Sequence, residues 1–183
     1  MFIIIIGYMG SGKTTVGRLL SFYLGSKFYD LDEIIFNWKN QYIHNILFKN
    51  GENYFRTIET NVLHFLKSFK KKIVLSTGGG TPCFSDNTSC LKSLGITYYL
   101  HLSSKEIFHR IRYQKYKRPL ISYLSSDKLL FFIHKHLSNR IKFYDKSDYK
   151  IEIVNSFTEE IAFYIHNQLS LISYRYGFIK KFK

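Results

Sequence analysis

The stretch Gly7-Tyr8-Met9-Gly10-Ser11-Gly12-Lys13-Thr14 constrains this chain more than any other. It fits G-x-x-x-x-G-K-[ST], a pattern whose glycines let backbone amides wrap closely around phosphate groups. The flanking residues supply the context the pattern needs. Phe2 to Ile6 is a short, unbroken apolar run dominated by isoleucine, as in a strand buried on both faces of a parallel sheet. Val16, Leu19, Leu20, Tyr23 and Leu24 then recur at helical spacing. A strand, a glycine-rich loop and a helix in that order aim the helix's free N–H groups at an anion. Gly10, Ser11, Gly12, Lys13, Thr14 and Thr15 are therefore candidates for binding ATP. Lys13 would serve the β- and γ-phosphates, and the Thr14 hydroxyl would serve Mg²⁺. At average residue frequencies, a chance match in a chain of this size arises on the order of one per cent of the time. Nucleoside triphosphate binding is the reading adopted.

The rest of the chain continues the alternation. Lys27 to Asp30, Ile73 to Leu75, Thr97 to Leu102 and Lys150 to Val154 read as further strands. Helical patterns run from Leu31 to Lys39, Tyr54 to Phe69, Ser104 to Arg112 with Ser104 as N-cap, Leu130 to Tyr144, and Thr158 to Ile172. Alternating strands and helices predict an α/β fold with a parallel sheet. The segment from Tyr113 to Ser126 is basic and without a clear period. One domain is expected over 1–172, followed by a basic, aromatic tail over 173–183 to which the sequence assigns no role.

The D-x-x-G and N-K-x-D signals of a GTPase do not occur. A chain of 183 residues is short for a large ATPase and suits a small kinase whose acceptor binds over the same sheet. The net charge of +14 admits anionic partners, nucleic acid among them. The lysines that produce it are scattered, so drift in an AT-rich genome accounts for them better. No nucleic-acid partner is expected. Cys83 and Cys90 have no metal or redox spacing and are expected to be free thiols in a reducing cytoplasm. The opening apolar run has no basic n-region and breaks at Gly7, so it is not read as a signal peptide. No stretch approaches the ~20 apolar residues of a membrane span. A cytoplasmic monomer without a membrane partner is expected.

Several side chains fall where a kinase needs them. Asp30-Leu31-Asp32 follows the second strand, and ligands of an open α/β sheet bind beyond the carboxyl ends of its strands. One carboxylate could hold a Mg²⁺-bound water and the other accept a proton from an alcohol. A surface turn that caps a helix would look the same. Thr77-Gly78-Gly79-Gly80 ends another strand with its side chains stripped away, leaving amides open to a substrate or simply a flexible turn. Arg56 and Arg140 stand alone on helices. Either could clamp a carboxylate bidentately or be a solvated surface residue. Arg118, in Lys117-Arg118-Pro119-Leu120, could close over a γ-phosphate or sit on an ordinary basic loop.

Taken together and in order, these segments resemble shikimate kinases. The matching stretches are Gly7–Arg18, Asp30–Asp32, Gly51–Glu59, Thr77–Gly80, Arg118–Leu120, and Asn139-Arg140 with Tyr144. The resemblance as a whole runs from about residue 2 to 170. The resemblance implies a P-loop fold of the nucleoside-monophosphate-kinase type, with a five-stranded parallel sheet in the order 2-3-1-4-5. It implies a substrate-binding region over about 31–62 and a lid over about 113–123. It also implies transfer of a phosphoryl group from ATP to the 3-hydroxyl of shikimate, with Mg²⁺ as cofactor. By that resemblance Asp32 is the candidate base, and Asp30 helps hold Mg²⁺ through water beside Thr14. Arg56 and Arg140 grip the shikimate carboxylate, with Glu59 orienting Arg56, and Gly78, Gly79 and Gly80 line the pocket. Lys13 and Arg118 stabilise the transferring group, and Asn155 marks the adenine loop. Arg112, with Arg110 as the alternative, stacks on adenine. The spacing from Arg112 to Arg118 is about one residue shorter than in the family. A gluconate kinase or nucleotide kinase would share the phosphate loop but lack the Arg56, triple-glycine and Arg140 set. A basic nucleotide-binding module acting on nucleic acid and a degenerate, slow enzyme are the remaining readings.

Overall fold

The computed structural model describes residues 2–113, 115, 121–154 and 156–175. Five parallel strands form one sheet: β1 (Phe2–Ile6), β2 (Lys27–Asp30), β3 (Ile73–Ser76), β4 (Gly95–His101) and β5 (Tyr149–Glu152), in the order β2-β3-β1-β4-β5. This is the sheet order expected from the resemblance. The helices are α1 (Lys13–Tyr23), α2 (Leu31–Lys39), α3 (Ile43–Leu66), α4 (Asn87–Leu94), α5 (Ser104–Ile111), α6 (Ser126–Tyr144) and α7 (Thr158–Arg175). Every residue of β1 is buried, which is why its run shows no polar alternation. Val16 and Leu20 of α1 and Ile161 and Ile165 of α7 join the core that β1 anchors.

Parallel register brings the working ends of the strands together. Asp30 pairs with Ser76 across β2 and β3, and Ser76 pairs with Ile5 of β1. The Thr77 amide then donates to the Ile5 carbonyl at 3.2 Å. The loops after β1, β2 and β3 thus open side by side. That is the crevice in which ligands of such sheets bind.

Four local expectations need correction. β4 starts at Gly95 rather than Thr97, because the chain passes so near β1 that a Cβ on Gly95 would lie 2.0 Å from the Phe2 carbonyl oxygen. Glycine reads as a turn residue, but here it admits close strand approach. α3 starts at Ile43 rather than Tyr54 and ends at Leu66; Gly51, with φ 81° and ψ 172°, breaks it. The N-cap of α5 is Ser103, whose side chain accepts from the Glu106 amide while Glu106 reaches back to the Ser103 amide. This capping box lies one residue before the expected cap. α7 continues to Arg175, three residues into the expected tail. α4 was not anticipated: its segment is rich in Ser, Thr and Asn, which favour turns when read locally. Its Asn87 side chain is buried, donating to the Thr81 carbonyl and accepting from Thr60 Oγ1, both at 2.9 Å.

Candidate active site

The phosphate loop turns directly off β1. Gly10 and Gly12 have φ of 78° and 91°, values L side chains rarely adopt. A Cβ on Gly10 would also lie 2.5 Å from Ile111 Cγ2. Lys13 is 8% exposed, and its Nζ donates to the Tyr8 carbonyl at 2.9 Å. The ammonium is thus folded back over the loop, within reach of an anion placed there. α1 carries no acidic residue in its first turn, so nothing on the helix itself offsets its positive end. The Ser11 hydroxyl is buried without a hydrogen-bond partner among the described residues.

The carboxylates come from the end of β2. Asp30 caps α2: its Oδ1 accepts from the Asp32 amide at 3.0 Å, and its Oδ2 accepts from the Thr14 hydroxyl at 2.8 Å. Mg²⁺ is ordinarily held by one or two protein oxygens, with phosphate oxygens and water completing its shell. Thr14 and Asp30 are oxygen donors of that kind and fit it. Among the described residues, no group of three or more His, Cys, Asp or Glu side chains could hold a metal unaided, so substrate phosphate would have to complete the set.

The Asp32 side chain opens to the cleft, but the protein packed around it pushes its pKa up to about 6. Partial burial is the main cause. The charges of Asp30 and Glu59 raise it further, and Lys13 and Arg56 pull it back. Asp30→Asn is therefore expected to lower the Asp32 pKa, since it removes a like charge while Asn still caps α2. Carbon-13 NMR of the Asp32 carboxyl, titrated in both proteins without nucleotide, measures this. An unchanged midpoint would contradict the assigned cause.

The third loop faces the second. Glu59 is fully buried; its Oε2 accepts from Arg56 Nη1 at 2.7 Å, and its Oε1 accepts from the Thr81 hydroxyl. Burial raises the Glu59 pKa, against the pull of Arg56, Thr81 and Arg140. Arg56 Nε and Nη2 also donate to Glu52 Oε1, at 3.2 and 2.8 Å. Burial disfavours the Arg56 charge, but Glu59 and Glu52 outweigh that and raise its pKa. Gly80 has ordinary φ/ψ; its need for glycine is steric, because a Cβ there would lie 2.2 Å from Arg56 Nη2. A Cβ on Gly78 would lie 2.8 Å from Glu59 Oε1 and 3.4 Å from Asp32 Oδ1, and one on Gly79 would lie 3.7 Å from Arg140 Nη1. Tyr144, on α6, donates to the Gly79 carbonyl at 2.6 Å.

Two hollows result. One of 390 Å³ is lined by Gly10, Gly12, Lys13, Thr14, Thr15, Asp30, Asp32, Gly78 and Gly79, together with Met9, Thr77, Arg110 and Ile111. Another of 170 Å³ is lined by Arg56, Gly80 and Arg140, together with Glu52, Asn53, Cys83 and Phe84. A larger hollow of 690 Å³ along α6 has Phe131 and Phe132 in its wall but neither the glycine loops nor the paired aspartates. Between the two arginine candidates, Arg110 lines the nucleotide side, whereas Arg112 packs its guanidinium over Tyr113 and Phe108, at 4.5 and 5.9 Å. Arg118 and Asn155 lie outside the described residues, as does the tail from 176.

Sequence reasoning did not single out Met9, Thr77 or Glu52. Met9 occupies a variable position of the loop pattern. Thr77 was read only as the start of the glycine run. Glu52 stands four residues before Arg56, a helical ion-pair spacing that could have flagged it.

The chain matches the family described as shikimate kinase over residues 9–170. It is 37% identical over 170 residues to a shikimate kinase of Parabacteroides distasonis, which covers 93% of this chain and 98% of that protein. A crystal structure of shikimate kinase from Bacteroides thetaiotaomicron superposes with a TM-score of 0.85 at 32% identity, over 93% of this chain and 98% of the other. One from Acinetobacter baumannii, in complex with shikimate, gives 0.81 at 36% identity, over 94% and 93%.

Proposed function

The chain belongs to the shikimate kinase family, and from that premise we infer that its cleft transfers the γ-phosphoryl group of ATP to the 3-hydroxyl of shikimate. The observation that carries this reading is the placement of two chemistries on either side of the triple glycine. Phosphate-loop glycines, Lys13 and Asp32 lie on one side, and Arg56 and Arg140 on the other. A molecule bearing both a hydroxyl and a carboxylate suits that pair.

ATP phosphates lie against the amides of Gly10 to Thr15, and Lys13 leaves the Tyr8 carbonyl to meet the β- and γ-oxygens. The carboxylate of shikimate sits between Arg56 and Arg140, with Glu59 holding Arg56 in place. This turns the 3-hydroxyl toward Asp32. With a pKa of about 6, Asp32 is ionised at neutral pH yet close enough to that pH to serve as a base. The hydroxyl oxygen forms a bond to γ-phosphorus as the bond from γ-phosphorus to the bridging oxygen of ADP breaks. The hydroxyl proton passes to Asp32 and then to water. Lys13, with Arg118 from the segment after α5, neutralises charge on the transferring group. Thr14 and Asp30 would help hold Mg²⁺, which would supply further charge neutralisation. Arg110 forms the adenine-side wall. The free thiols of Cys83 and Cys90 suit a cytoplasmic setting.

An ATP-coupled assay across shikimate, gluconate and nucleoside monophosphates tests this reading. Shikimate is expected to be the preferred acceptor; turnover of gluconate without shikimate would overturn it.

A further inference from the structure

We infer that Tyr8 of the phosphate loop and His136 of α6 form a positioning pair that sets where Arg140 stands. This inference rests on the proposed role of Arg140 as a clamp for the shikimate carboxylate.

His136, Arg140 and Tyr144 are spaced four residues apart on α6, so they lie along one face of the helix. Each meets the site differently. Tyr144 donates to the Gly79 carbonyl at 2.6 Å. The hydroxyl of Tyr8 is hydrogen-bonded to His136 Nδ1 at 2.9 Å. The Arg140 guanidinium stands between these anchors, its Cζ 5.9 Å from the centre of the Tyr8 ring. One turn on either side of Arg140, α6 is thus tied to a different ligand-binding loop.

The tie to the phosphate loop is part-buried: His136 also lines the hollow along α6, while Tyr8 sits in the interior. Tyr8 is 1% exposed, and its ring meets the imidazole edge-on, with centroids 5.6 Å apart. The Phe132 ring, one turn earlier, lies 5.0 Å from the same imidazole. His136 is kept neutral, its pKa pushed down to about 4, chiefly by burial and then by Arg140; Arg56 adds to this and Glu52 opposes it. A neutral imidazole with its proton on Nε2 accepts at Nδ1, and the phenol can then donate to it. The same Tyr8 residue offers its carbonyl to Lys13 Nζ and to the Ser11 amide. One residue therefore contacts both the phosphate-binding lysine and, through its side chain, the helix that carries Arg140.

Tyr8→Phe keeps the ring under Arg140 and deletes only the hydroxyl. Its expected effect is a rise of about five-fold in the shikimate KM, with kcat and the ATP KM within two-fold of wild type. His136→Phe removes the acceptor from the helix side and should act alike. The double variant should be no worse than either single variant. His136→Asn places an oxygen near the Nδ1 position and should restore the shikimate KM to within two-fold. A Tyr8→Phe enzyme with an unchanged shikimate KM would overturn the pairing. So would equal increases in both KM values, the mark of a merely structural role in the loop; if Tyr8→Phe does not fold, His136→Phe decides by the same criteria. Wild type is assayed alongside. Its failure to turn over shikimate would remove the functional reading itself, whereas active wild type with an indistinguishable variant would remove only the pairing.

Discussion

Asp32→Asn is expected to lower kcat for shikimate phosphorylation by about two to three orders of magnitude, with ATP binding kept within about two-fold. The substitution preserves shape and removes the proton acceptor. Among the described residues Asp32 makes no ion pair, and its backbone amide, which Asn retains, is what bonds to Asp30 Oδ1. Helix α2 should therefore keep its cap. ATP should bind as before, since the loop from Gly10 to Thr15 supplies that affinity. Single-turnover kinetics with nucleotide affinity measured separately would check both halves. A kcat within ten-fold of wild type would mean that Asp32 only orients the hydroxyl.

Arg140→Ala should raise the shikimate KM by about 30- to 100-fold, the loss expected when a charged hydrogen-bonding partner of a carboxylate is removed. It should leave ATP affinity nearly intact. Fold damage should be small, because Arg140 is half-buried, and the Tyr144 and Tyr8 anchors on either side of it remain. Arg56 would still contact the carboxylate, but its Nε and Nη2 are already engaged by Glu52, so it should compensate poorly. An unchanged KM would remove Arg140 from the clamp.

Much of this was legible in the sequence, for reasons that differ between elements. β1 and the phosphate loop were plain because a strand buried on both faces and a loop that must admit phosphate leave few residue choices. The sheet order followed from family likeness, not from any periodicity. Gly95, Gly51 and α4 escaped local reading because their conformations depend on neighbours: the β1 backbone, a break within a helix, and buried bonds from Asn87. At the site, Asp30, Asp32 and the triple glycine could be placed because they end strands. Glu59 could be named only through the family likeness, and its full burial and its bond from Thr81 had no local signal. Which of Arg110 and Arg112 lines the hollow beside the phosphate loop depends on the side of α5 that faces it, and short segments place that poorly. The bond from Tyr8 to His136 joins residues 128 apart in sequence and has no local signature.

The most direct test of the central claim is to identify the product. Purified enzyme incubated with shikimate, ATP and Mg²⁺ is expected to give one phosphate ester, which proton-coupled phosphorus NMR should assign to the 3-oxygen, with ADP formed in equal amount. Phosphorylation at another hydroxyl, or ATP consumption without a shikimate ester, would contradict the geometry assigned to Asp32, Arg56 and Arg140.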